Sequence, residues 1–164
     1  MNILYLHGLE STLSDAKRSL LEKYGRVEAP LMDYKEQNQI FETLFEKYKN
    51  SDIDVVMGSS MGGFMGYYLA KALKVPALLF NPALTSRSIV QEIPSKLENS
   101  NKYHQVVLGS QDEVVNPMDT IAFLSQLSKE FPLKIHLNHQ LGHRIPETVF
   151  KQELSAFFTS YKEY

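Results

Sequence analysis

Three side chains far apart in the sequence have the types that acyl transfer needs: Ser60, Asp112 and His143. A serine hydroxyl is a weak nucleophile until a base within hydrogen-bond reach takes its proton, and a third group must orient that base. Ser60 is the centre of Gly58-Ser59-Ser60-Met61-Gly62, which follows the apolar run Val55-Val56-Met57. The pattern is that of a strand reversing sharply into a helix, with the middle residue thrown out at the apex. The flanking glycines are expected because side chains there would collide with each other and with an incoming substrate. The helix that follows turns its first amides toward any negative charge developing at the serine.

His143 is the expected base, taking the Ser60 proton during attack and returning it to the leaving group. Asp112 is expected to hold the imidazole tautomer. Each has a rival. Glu113 adjoins Asp112, but Asp112 lies nearer the end of a strand; His139 lacks the glycine that precedes His143 and frees a loop to reach the serine. The chain order Ser, Asp, His is that of α/β-hydrolases and differs from the orders of other serine-hydrolase folds.

A tetrahedral oxyanion needs donors, usually two backbone amides. The amide of Met61, just after the serine, is one candidate. The amide of Leu9, in the loop opened by His7-Gly8, is the other. His7 itself reads as an organiser of that loop. Asn81, Leu84 and the patch Ile89-Val90 are candidate linings of an acyl pocket, with ordinary packing an equal alternative for each. Arg144, beside the base, is placed to meet an anionic leaving group or to stand free in solvent.

These residues need a scaffold that gathers them. Apolar runs at Ile3–Leu6, 27–29, 53–57, 76–80, 105–108 and 134–137 read as strands. Between them lie helical patterns over 14–24 (closed by Gly25), 34–50, 61–73, 116–130 and from Pro146 onward. Residues 81–104 are irregular, the one stretch placed to act as a lid and too short for a helical cap. The alternation implies a three-layer α/β sandwich: a mostly parallel sheet with helices on both faces, one domain over residues 1–164. In such sheets ligands bind at the carboxyl ends of the strands. His7, Ser60, Asn81, Asp112 and His143 each follow a strand and should share that edge.

Composition bounds the rest. At 43% hydrophobic and 22% charged, the 164 residues are those of an ordinary globular chain, and a net charge of −2 with no basic run gives no footing for nucleic acid. The absence of cysteine removes thiolate chemistry and disulfides. The N-terminus lacks a signal-peptide pattern and no run is apolar enough to span a membrane, so a soluble cytoplasmic location is expected. No cofactor is called for, and oligomeric state is unreadable.

Leu6-His7-Gly8, Gly58-Ser59-Ser60-Met61-Gly62-Gly63, Phe80-Asn81-Pro82-Ala83 and Asp112-Glu113-Val114 together resemble the small YqiA-like bacterial esterases of the α/β-hydrolase superfamily. The resemblance spans nearly the whole chain. It implies a compact serine esterase without a large cap domain, acting on carboxylic esters or thioesters. Glu10 and Gly142-His143-Arg144 are departures from that family's sequence.

Two other readings use different features. His136, His139 and His143 have spacings compatible with a metal-dependent hydrolase, although no helix aligns them. A catalytically silent hydrolase fold used for binding is the other, since fold does not dictate function.

Overall fold

The computed structural model describes residues 1–98, 100–127 and 131–161. Among the described residues six strands form one sheet: β1 (Asn2–Leu6), β2 (Arg26–Glu28), β3 (Val55–Ser59), β4 (Ala77–Phe80), β5 (His104–Gly109) and β6 (Leu133–Asn138). Every pair is parallel, in the order β2-β1-β3-β4-β5-β6. The four central strands are nearly continuous apolar runs because both their faces are covered. The edges differ: β2 has three residues and β6 has no fully buried position, with Lys134 and Leu137 exposed.

Five helices among the described residues cover the sheet: α1 (Asp15–Leu21), α2 (Ile40–Tyr48), α3 (Met61–Leu73), α4 (Pro117–Leu127) and α5 (Glu147–Ser160). Strand alternation divides the core in two. Leu4, Leu6, Val56 and Leu79 pack with α2, α3 and α4 on one face. Ile3, Tyr5, Met57 and Phe80 pack with Leu21 of α1 and with Phe150, Leu154 and Phe157 of α5 on the other.

The sequence reading of α2 and α1 needs correction at one boundary each. The α2 helix starts at Ile40, not Tyr34. Asp33 Oδ1 accepts from the amides of Lys35 and Glu36, closing a local turn, and the Tyr34 side chain is drawn into the core. The α1 helix stops at Leu21 with Glu22 as its cap, so Gly25 does not terminate it. A side chain at Gly25 would strike the Met1 carbonyl instead. The expected end of α4 near Glu130 lies outside the described residues. Its start is as expected: Asn116 Oδ1 accepts from Met118 N at 2.9 Å. Among the described residues no helix is long and apolar enough to cross a membrane.

Candidate active site

The elbow after β3 forms because glycine alone fits on either side of it. A Cβ on Gly58 would overlap the backbone of Gly62, and one on Gly62 would overlap the carbonyls of Leu6 and His7. The two flanking positions would thus collide with each other, as expected, and Gly62 in addition with the end of β1. Ser60 takes φ 53° and ψ −118°, a conformation costly for a residue with a side chain. Neighbours hold it there. Ser60 N donates to Phe80 O at 2.9 Å, while Phe64 N and Ala83 N both donate to Ser60 O, at 2.9 and 3.1 Å.

Asp112 and His143 arrive on the loops after β5 and β6. Asp112 is buried, and its two carboxylate oxygens have separate tasks. Oδ1 accepts from Val114 N and Val115 N, each at 2.8 Å, which fixes the side chain on its own loop. Oδ2 accepts from His143 Nδ1 at 2.8 Å. A carboxylate only accepts, so Nδ1 carries the hydrogen and Nε2 presents its lone pair. Ser60 Oγ lies 3.0 Å from Nε2 and donates to it. The three side chains thus form one hydrogen-bonded chain at the carboxyl edge of the sheet. Glu113 points to solvent, and the backbone carbonyl of His139 accepts from Gln111 Nε2.

The loops that carry Asp112 and His143 are joined. Ser110 N donates to Asn138 O and Gln111 N to Leu141 O, both at 3.0 Å. Asn81 completes the bracket. Its Nδ2 donates to Gly142 O at 2.9 Å and His143 O at 3.0 Å, and its Oδ1 accepts from Gly109 N at 2.8 Å. It sits at φ 41°, a left-handed conformation that asparagine adopts more readily than most residues.

Asn81 is therefore not a lining of the acyl pocket: it is 2% exposed, and its amide faces the two loops. Leu84 likewise belongs to the core, 4% exposed. Val90 is exposed to solvent and Ile89 packs partly against the core. What walls the cleft here is Val114 and Val115, just past Asp112, which the sequence reading passed over. Their signal was present, two adjacent β-branched residues at a strand end beside the acid.

Ser60 lies where two cavities meet. One, of about 490 Å³, is lined by Leu9, Met61, Ala83, Val114 and Val115, with Arg87 and two serines at its rim. The Arg87 guanidinium lies 3.9 Å from the Phe64 ring centroid and donates to Ala83 O and Leu84 O, which steadies that wall. The other cavity, of about 540 Å³, is lined by Tyr5, Ser11, Thr12, Lys17, Ser59 and Arg144 among others. Leu9 and His143 border both. A further hollow of about 530 Å³ between residues 9–12 and 31–37 does not reach Ser60.

His7 organises the loop after β1. Its Nε2 accepts from Met32 N at 2.9 Å, so Nδ1 carries the hydrogen and donates to Gly8 O at 2.7 Å. Tyr34 supports it, its hydroxyl donating to His7 O at 3.0 Å and its ring meeting the imidazole edge-on. Burial pushes the Tyr34 hydroxyl far above the ordinary tyrosine range, so it stays a donor. No local pattern signals this partnership, whose members lie 25 residues apart with α1 and β2 between them.

The three histidines considered for a metal do not converge. His136 Nδ1 meets Glu153 Oε2 at 2.6 Å on the α5 side of the sheet, while His143 is held between Asp112 and Ser60. Among the described residues no group of three or more histidine, aspartate or glutamate side chains is arranged to hold a metal ion.

A sequence model of an uncharacterised protein family, UPF0227, matches residues 2–105. Among solved structures, the chain is similar to the ydeN gene product from B. subtilis, with 15% identity, 99% of each chain covered and a TM-score of 0.73. It is similar also to alpha/beta hydrolase domain-containing protein 10 from mouse, at 13% identity and TM-score 0.70, covering 99% of this chain and 89% of that one. A Bacillus cereus carboxylesterase matches at 15% identity and TM-score 0.67, over 96% of this chain and 87% of its own.

Proposed function

The chain belongs to the UPF0227 family and has the α/β-hydrolase fold, and from that premise we propose that it is a serine hydrolase, a carboxylesterase or thioesterase working through an acyl-enzyme on Ser60. The observation that carries the reading is the chain Asp112–His143–Ser60, closed by bonds of 2.8 and 3.0 Å at a strained elbow. The esterase named among its structural neighbours agrees with it.

Ser60 Oγ attacks the ester carbonyl as its proton passes to His143 Nε2. Asp112, dry and already in place, stabilises the resulting imidazolium and fixes the ring's orientation. The carbonyl oxygen becomes an oxyanion beside the amide of Met61, which opens α3 and has no acceptor within that helix. The amide of Leu9 is the second donor, on the loop that borders both cavities at Ser60. Collapse of the intermediate expels the alcohol or thiol, which takes its proton from His143. Water, activated by the same imidazole, then releases the acid.

A fluorophosphonate probe tests the assignment. It should label the native chain at Ser60 and leave Ser60→Ala unlabelled, and that variant should lose hydrolysis of activated esters. An unlabelled native chain, or a Ser60→Ala variant of full activity, would overturn it.

A further inference from the structure

The two cavities that meet at Ser60 differ in chemistry. Val114, Val115, Met61, Leu9 and Ala83 give one an apolar wall, with Val114 66% exposed at its mouth; the Arg87 guanidinium at its rim is engaged by Ala83 O, Leu84 O and the Phe64 ring, beside Ser86 and Ser88. The other contains two cations, Lys17 and Arg144, among serine and threonine hydroxyls. Lys17 is half-buried and its Nζ lies 5.3 Å from the Phe150 ring centroid. Burial lowers its pKa, an effect that the field of Glu147 only partly offsets, so this ammonium lacks the solvation it would have outside. Among the described residues no salt bridge joins Lys17 or Arg144 to a carboxylate. Glu10, which also borders the cavity, is taken by Lys35. A guanidinium free to fork and a half-dry ammonium suit an oxyanion such as carboxylate or phosphate.

Resting on the reading of Ser60 as nucleophile, we propose that the cleft sorts an ester into unlike halves. An uncharged acyl chain lies along Val114 and Val115. The leaving alcohol or thiol carries an anionic group, carboxylate or phosphate, to Lys17 and Arg144. The anion belongs to the leaving half because Arg144 directly follows His143, the residue that returns a proton to the departing atom.

The test compares esters that share a butyryl group. One leaves as para-hydroxybenzoate, one as its neutral methyl ester, one as para-hydroxyphenyl phosphate; a hemisuccinate of the neutral phenol puts the charge on the acyl half instead. The native chain should favour a charged leaving group over the neutral one by roughly fivefold or more in kcat/KM, as expected of partly exposed ion pairs. Whichever of the carboxylate and phosphate esters gains more identifies the anion. Lys17→Gln and Arg144→Gln should each pull that ratio toward one, and Lys17→Arg should keep it. A native ratio of one, a ratio unmoved by both glutamine variants, or a preference for the hemisuccinate overturns the proposal and leaves the hydrolase reading intact. If no ester is cleaved, the hydrolase reading fails and titration calorimetry with para-hydroxybenzoate decides: binding weakened by Lys17→Gln supports the anion site, and no binding overturns it.

Discussion

Asn81 Nδ2 donates to the carbonyl of His143 at 3.0 Å, so the residue after β4 holds the residue proposed as the base by its own backbone. The same side chain holds Gly142 and the end of β5. Truncation to alanine would leave a buried amide and two carbonyls without their partner. Asn81→Ala should cost about 2 kcal/mol of stability in urea titration. It should also lower kcat/KM roughly a hundredfold, as a small displacement of a reacting group does. Asn81→Asp should fare no better, because it turns an oxygen toward two carbonyls. Fluorophosphonate labelling at native speed in both variants would show that the bracket does not position the base.

Asp112 uses one oxygen for its own loop and the other for His143. In Asp112→Asn the amide oxygen can still accept from Val114 and Val115, so the fold should persist with an unchanged melting curve. The amide nitrogen would then face Nδ1 and select the tautomer with its hydrogen on Nε2, aimed at Ser60. A fall in kcat of roughly a thousand- to ten-thousandfold follows. A loss under tenfold would mean that Asp112 is not the orienting group.

Gly62 lies against the carbonyls of Leu6 and His7, atoms that cannot move without parting β1 from β3. Gly62→Ala should therefore destabilise the chain by about 3 kcal/mol or more, read from its urea midpoint. The contact is backbone on backbone, so compensating core substitutions should not restore it.

His104 gives the fold an acid limit. Its ring is fully buried against Phe131 and Tyr67, with Nδ1 donating to Lys102 O at 2.9 Å and no partner for Nε2 among the described residues. Burial pushes the imidazole down to about 4 from an ordinary 6.5; the Lys102 carbonyl opposes this and the Lys71 charge adds to it. Between those values the unfolded chain binds a proton that the folded chain refuses. Stability should thus be full above pH 6.5 and decline as pH falls toward 4, by on the order of 3 kcal/mol. Urea midpoints taken across that range should fall less steeply in His104→Leu. An identical slope in the two chains would assign the acid limit elsewhere.

The sheet was legible because its strands are buried on both faces and so read as apolar runs, separated by helical patterns. The convergence of Ser60, Asp112 and His143 was legible because each follows a strand, and a parallel sheet brings strand ends together. The start of α2 was not legible. The Tyr34–Asn50 pattern continues the helical period upstream, and only the Asp33 turn and the burial of Tyr34 interrupt it.

Sequence alone thus determined the fold class, the elbow and the identity of the three residues now found in one hydrogen-bonded chain, since the succession of strand and helix patterns and the turn chemistry are written in short stretches of sequence. Tertiary structure decided what lies around them. Asn81 became a bracket rather than a pocket wall because Gly109 and the His143 loop converge on it. Val114, Val115 and Arg144, on the loops after β5 and β6, and Lys17, in α1, came to line the cavities at Ser60 through packing of distant segments. The surroundings of a reacting atom are set by contacts between distant segments, which no local pattern records.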